Sequence, residues 1–281
     1  MSDVLRINNL NAFWKDAGVF KNINLELKSE GKLICLCGPN GSGKSTLLSL
    51  LAGIVPEGLS LDKSILLNDK NLFSIKKQKC KFNSKEIAKK ISYLAQNEFS
   101  LWNHSVLEEV VTGRFCHTKI NGHYSDEDFF MSEEMLSLLG IKFLSQKNIH
   151  SLSGGEMQKV RIARALVQQT DFILFDETIA NLDVGYQKEL MEFFKSICVK
   201  GLNGKKPLIV ISIHDINLAL QYADEIILLK KYKFIQDKEI EQLTFGSIQE
   251  VITEESLKLT FGSNFGFFTH PEYKCTQVYV K

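Results

Sequence analysis

The chain has 281 residues, 34 Lys and Arg against 33 Asp and Glu for a formal net charge of +1, and 44% hydrophobic content. That is enough apolar material for a real core, built as one large domain or two small ones, and the near-neutral balance supplies no global field to draw nucleic acid or an acidic partner. The longest apolar runs, such as Leu208–Ile211 and Ile226–Leu229, fall far short of the roughly 20 residues that span a bilayer, and MSDVLRINNL carries no targeting pattern, so a cytoplasmic location is expected.

In chain order, Val4–Ile7 and Ile23–Leu27 alternate apolar and polar residues, as antiparallel strands with one wet face do. Between them, in an expected loop, lie Phe13 and Trp14. Two readings are open for this indole: stacking on a nucleotide base, or packing against the small sheet. Next comes LICLCGPNGSGKSTLLSLL, Leu33–Leu51, an apolar strand, a glycine loop and an apolar helix. It matches G-x-x-x-x-G-K-[ST] at Gly38, Gly43, Lys44 and Ser45. Gly38, Gly41 and Gly43 let backbone N–H groups turn inward as an anion nest, and the helix adds the positive end of its dipole. The nucleotide-binding residues are therefore Gly38, Pro39, Asn40, Gly41, Ser42, Gly43, Lys44, Ser45 and Thr46, with Lys44 on the β- and γ-phosphates and the Ser45 hydroxyl on Mg²⁺. Six cysteines are scattered without a C-x-x-C pair, so free thiols are expected; Cys35 and Cys37 share a face of the buried strand and read as packing.

Ile65–Leu67 and Ile91–Ala95 read as short strands, separated by the basic stretch Lys76–Lys90, a solvated amphipathic helix. Gln96 follows the second strand. From Ser105 to about Gln169 the spacing becomes helical and interrupts the α/β core, with Asn121–Asp128 expected as a loop. Leu152–Glu156, LSGGE, opens a helix with an apolar stripe of Met157, Val160, Ala163 and Val167. Its start is either a second anion site or an ordinary capped helix. The apolar strand Phe172–Phe175 ends in Asp176 and Glu177, two carboxylates of no use to a buried strand: Asp176 suits Mg²⁺, and Glu177 is placed to take a proton from water. Leu208–Ile213 is a further strand and delivers His214 to the same sheet edge, where ligands of α/β folds bind. Glu225–Leu229 is the last predicted strand, and an aromatic tail with Phe261, Phe265, Phe267, Phe268, Tyr273 and Tyr279 is expected to pack on the domain. His117, His123 and His150 show no metal-ligand spacing, and no internal repeat or linker is evident.

Together GPNGSGKST, Gln96 after a strand, LSGGE, FILFDE, Asn181-Leu182-Asp183 and His214 resemble the ATP-binding cassette (ABC) ATPases nearly end to end. The resemblance implies an α/β P-loop NTPase core with a parallel sheet, an N-terminal antiparallel β subdomain and an inserted α-helical subdomain. It is one nucleotide-binding domain over 1–281, with the insertion at about 97–169 and a C-terminal tail at about 231–281. Two such domains would face each other, each ATP held between the P-loop of one and the LSGGE of the other. Trp14 would then stack on adenine, and Gln96 would touch Mg²⁺ or the attacking water. Ser153, Gly154 and Gly155 would grip the γ-phosphate in trans, His214 would contact it in cis, and Glu177 would be the general base.

The less universal segments ISYLAQ, SVLEEVVTGRFCH, HDINLALQYADEIILL and GSIQEVITEESLKLTFG are similar to the ATPase subunits of iron-siderophore, haem and cobalamin importers. That implies a peripheral protein on the cytoplasmic face of the cell membrane. Its partners would be transmembrane permease subunits and, indirectly, a substrate-binding lipoprotein or periplasmic protein. The permease would dock near Gln96–Arg114, with Leu101 and Trp102 as apolar contacts. The alternative is a soluble cassette ATPase acting as a scaffold in iron–sulfur assembly. Two departures stand out: Thr178-Ile179 replaces the usual Pro-Thr, which would loosen the following turn and lower activity, and Glu156 replaces the commoner Gln.

Overall fold

A computed structural model describes residues 2–15, 17–73, 83–96, 103–119, 122–180, 182–232, 240–272 and 275–281. The readings for 76–82, Cys80, Leu101, Trp102, Asn181 and Tyr273 lie outside these residues. The elements are β1 (Val4–Trp14), β2 (Ala17–Lys28), β3 (Leu33–Cys37), α1 (Lys44–Leu51), β4 (Leu59–Leu61), β5 (Leu66–Leu67), β6 (Lys70–Asn71), α2 (Ser84–Ala88) and β7 (Ile91–Leu94). The helical stretch holds α3 (Val106–Val111), a 3-10 segment Thr112–His117, α4 (Asp126–Leu138) and α5 (Gly154–Val167). Then come β8 (Phe172–Phe175), α6 (Val184–Lys200), β9 (Leu208–Ser212), α7 (Ile216–Tyr222), β10 (Glu225–Leu229), β11 (Leu243–Ser247), α8 (Ile248–Val251), α9 (Glu254–Phe261), β12 (Phe265–Thr269) and β13 (Thr276–Val280).

Among the described residues the main sheet runs β11-β10-β3-β9-β8-β7, parallel except for β11. Helices cover both faces, so its strands are apolar on both. Leu33, Cys35 and Cys37 enter the core beneath α5 and α6, while Ile34 and Leu36 enter the core shared with α1 and the N-terminal sheet. Burial pushes the Cys37 thiol up to about 12, in keeping with a packing role. The antiparallel sheet pairs β2-β1-β5-β6 with β4 also on β1, and buries Leu5, Ile7, Leu10 and Ala12.

Several expectations need correction. β1 and β2 run well past the predicted spans, so Phe13 and Trp14 close a strand, paired with Gly18 and Ala17, and do not sit in a loop. Cross-strand hydrogen bonding carries the ladder beyond the point where apolar alternation stops. The loop expected at 121–128, of which Asn121 lies outside the described residues, ends early, because Ser125 caps α4 and the Asp128 carboxylate accepts from the Ser125 N–H. In α5 Met157 is only half-buried, while Ile162, Ala165 and Leu166 join the buried set, because the helix is wedged between neighbours on most sides. The C-terminal stretch contributes β11 to the main sheet, and its aromatics divide: Phe265 is buried, whereas Phe268 and Tyr279 pair with each other on the solvent face of the β12–β13 hairpin.

Arg114 fastens the helical stretch together: its Nε donates to Asp128 at 2.9 Å and its Nη1 to the Val167 carbonyl at 3.0 Å. Burial alone would raise the Asp128 carboxyl, but the Ser125 N–H and hydroxyl and the Arg114 guanidinium outweigh it and hold it below the ordinary carboxylate range. Removing one partner of such a buried pair strands the other. Arg114→Ala should therefore lose about 3–5 kcal/mol of stability, read from urea unfolding; a loss under about 1 kcal/mol would show the pair to be dispensable.

Candidate functional site

Strand β3 ends at Cys37 and α1 begins at Lys44, so the glycine loop turns back over the carboxyl edge of the sheet. Gly41 and Gly43 have φ of 74° and 101°, open to glycine with little strain. Gly38 is required for a different reason: a Cβ there would lie 2.3 Å from the Leu229 carbonyl oxygen. Lys44 is buried and its Nζ donates to the Gly38 carbonyl at 2.9 Å. Burial pulls its pKa below the ordinary lysine value, against the opposing charge of Glu177.

A cavity of about 400 Å³ opens here, lined by Asn40, Gly41, Gly43, Lys44, Ser45, Thr46, Gln96, Glu177 and His214. Residues from four separate stretches are thus brought together. One wall offers backbone N–H groups and an ammonium, and the other offers a carboxylate, an amide and an imidazole. Gly38, Pro39 and Ser42 complete the loop without lining the cavity, and the Ser42 side chain is buried.

Glu177 is held from three directions. Gln96 Nε2 donates to its Oε2 at 2.5 Å, and His214 Nε2 lies 2.8 Å from its Oε1. Its own N–H donates to the Ser212 hydroxyl at 2.8 Å, and that hydroxyl donates to Asp176 Oδ1 at 2.8 Å. Glu177 has φ of 50°, uncommon for a residue with a Cβ and costing of order 1 kcal/mol or more. That backbone turn, braced by Ser212, aims the carboxylate back over the glycine loop. Such a group can accept a proton from a water held in the cavity. Hard oxygen donors suit Mg²⁺, and the Ser45 hydroxyl on the lining with the Asp176 carboxylate one residue before Glu177 have that chemistry.

Ser212 was not singled out in the sequence, where it reads as one residue of the apolar run LIVISIH. The available signal was a hydroxyl at the carboxyl end of a fully buried strand, two residues before His214. The turn after Glu177 is closed by bonds from the Ala180 N–H to the Glu177 carbonyl and from the Leu182 N–H to the Ile179 carbonyl. Thr178 and Ile179 are buried within it, and Gln158 Nε2 donates to the Thr178 carbonyl at 2.8 Å.

Ser153, Gly154 and Gly155 lie outside the cavity. Ser153 caps α5, and its N–H and hydroxyl both donate to the Glu156 carboxylate at 2.9 Å, so a side-chain anion already occupies these donors. Trp14 is also outside the lining. It is 36% exposed at the end of β1, where its ring approaches Gly58.

A family model described as ABC transporter matches residues 20–180. The petrobactin import ATP-binding protein FpuC of Bacillus anthracis is 33% identical over 253 residues, covering 90% of this chain and 84% of that protein. The manganese transport system ATP-binding protein MntB of Halalkalibacterium halodurans is 28% identical, covering 96% of each. Among solved structures, a metal-chelate type ABC transporter in an inward-facing conformation superposes with a TM-score of 0.75 at 24% identity, over 99% of this chain and 98% of that one.

The bridging role of Ser212 has a kinetic signature. Ser212→Ala should lower ATP turnover about 10- to 100-fold, the scale of a misplaced reacting group, while equilibrium nucleotide binding changes by no more than about 3-fold. Unchanged turnover in the variant would remove Ser212 from the positioning of Glu177.

Proposed function

Because the chain belongs to the ABC transporter family and is an ATP-binding, ATP-hydrolysing protein, we propose that it powers a membrane importer of iron-siderophores or related metal chelates. It would work as a pair of identical chains on the cytoplasmic face of a permease, with a substrate-binding lipoprotein or periplasmic protein delivering the chelate. The observation that carries the reading is the single cavity in which Glu177, held by Gln96 and His214, faces the glycine loop and Lys44. The relatives named for petrobactin import favour an importer over the iron–sulfur scaffold, and the one named for a manganese transport system keeps the cargo in the metal class.

In this reading the loop N–H groups and Lys44 bind the phosphates, and Thr46 stands beside them. Bound Mg²⁺, held by Ser45, Asp176 and Gln96, would neutralise charge on the β- and γ-phosphates. Glu177 takes the proton of the attacking water, and Gln96 and His214 keep its carboxylate aimed. Trp14 stacks on the base. Ser153, Gly154 and Gly155 of the second chain close on the γ-phosphate once Glu156 gives up its hold on Ser153.

The permease would seat in a second cavity of about 480 Å³ between α2, β7, the 3-10 segment and α5. Phe115, 59% exposed, Tyr93 and Cys116 give it an apolar floor, with Lys85 and Arg164 at the margin. No helix among the described residues is long and apolar enough to cross a membrane.

Glu177→Gln should bind MgATP but lose hydrolysis by roughly 10²- to 10⁴-fold, and size-exclusion chromatography with ATP should show a trapped dimer. In liposomes with its permease the wild type should drive uptake of labelled ferric siderophore and this variant should not; uptake of Mn²⁺ alone would move the cargo to the manganese class. Lys44→Ala should lose nucleotide affinity itself, because its charge meets the phosphates in the ground state. Ser153→Arg should keep monomer affinity and lose turnover. Equal loss of binding in both, by equilibrium titration, would contradict the trans assignment of Ser153.

A further inference from the structure

The connection between the antiparallel neighbours β10 and β11 runs from Lys230 to Gln242, far longer than the roughly 2–5 residues of an ordinary hairpin loop. Its two ends are buried and tied together: the Lys230 N–H donates to the Gln242 carbonyl at 2.9 Å and Gln242 Nε2 to the Lys230 carbonyl at 3.2 Å. Gln242 also reaches β2, accepting from the Lys21 N–H at 2.9 Å and donating to the Val19 carbonyl at 2.7 Å. Val19 and Phe20 in turn press on Gly43, where a Cβ would lie 2.8 Å from the Phe20 ring. At the other end of the glycine loop Gly38 abuts the Leu229 carbonyl. The base of this connection therefore touches both ends of the phosphate loop, one directly and one through β2.

Just beyond that base, Tyr232 lies over the tip of the β1–β2 hairpin. Its ring fills the space above Gly18, where a Cβ would come within 2.0 Å, and stands edge-on to Phe13 at 6.5 Å between centroids. Gly18 is the cross-strand partner of Phe13, and the two share one face; Trp14, next along the strand, points to the other and meets Gly58. Lys231 lies close enough to Lys44 for its charge to add to the effect of burial in depressing that lysine.

We propose that Tyr232 is a positioning residue for the nucleotide base, bracing the hairpin tip from the Phe13 face so that Trp14 is presented at a fixed height above the glycine loop. This rests on the reading of Trp14 as the stacking residue. Strand pairing to β2 and β4 fixes the backbone of the tip, and the aromatic edge contact adds a side-chain brace on the Phe13 face. A base gains from that pre-set surface, and a ligand without a base does not.

The test uses the full chain and calorimetric titration with MgATP and with Mg-tripolyphosphate, which has the phosphates and no base. Tyr232→Ala, with Tyr232→Leu as a second removal of the ring should the alanine variant fold poorly, should bind MgATP about 2- to 10-fold more weakly, the range of one aromatic pair. Tripolyphosphate affinity should stay as in the wild type, and Tyr232→Phe should restore ATP affinity. Equal weakening toward both ligands would overturn the proposal, since the tyrosine would then shape the phosphate loop and not the base site. Trp14→Ala is run in parallel. If it weakens ATP while the Tyr232 variants do not, the bracing role fails and stacking stands; if it leaves ATP affinity intact, the stacking reading itself fails.

Discussion

Parallel pairing in one register sets four strand ends side by side. Leu94 lies beside Phe175, Phe175 beside Ile211, and Leu36 beside Ser212. Each strand then releases its chain at the same edge: Gln96 after β7, Asp176 and Glu177 after β8, His214 after β9 and the glycine loop after β3. A slip of one residue in any of these pairs would turn its apolar side chains to the wrong core and lift its polar residue away from the edge. The two-sided core therefore determines the site geometry, because Ile173 and Phe175 can enter only one face and Phe172 and Leu174 only the other.

At that edge, ordinary hydrogen bonds hold an unusual conformation. Glu177 keeps a positive φ because its N–H has a buried partner in Ser212, whose own proton goes to Asp176. The buried Ser212 hydroxyl and the buried Asp176 carboxylate are thereby satisfied, which a low-dielectric setting demands. Lys44 follows the same logic, spending its ammonium on a loop carbonyl. Polar groups tied to one another in this way have their positions fixed before a ligand arrives.

The catalytic edge was legible in the sequence because glycine spacing and paired carboxylates after an apolar strand have few other uses. Ser212 was hidden because a hydroxyl inside LIVISIH is indistinguishable by pattern from a tolerated polar residue; only the register across β8 and β9 gives it a partner. The start of α4 was hidden in polar residues that looked like loop, since capping depends on the pairing of Ser125 with Asp128 and not on hydropathy. Phe13 and Trp14 were misjudged because strand pairing to β2 and β4 outlasts apolar alternation. The long Lys230–Gln242 connection offers no periodicity at all, so its grip on β2 through Gln242 emerges only in three dimensions.

Helix α5 has one further property, which is mechanical. Near its start Gln158 is pinned to the turn that follows Glu177, and just past its end Gln168 donates to the backbone carbonyls of Ala88 and Ile91 beside the second cavity. The rod between these fastenings is stiff, and its length is about 15 Å at 1.5 Å per residue. The far end is tied down as well, by Arg114 on the Val167 carbonyl and by the Ser92 hydroxyl on the Ala165 carbonyl, so the two ends keep a fixed separation. The helix is thus a strut, with one end at the turn after Glu177 and the other forming the wall of Arg164, Ala165 and Gln168.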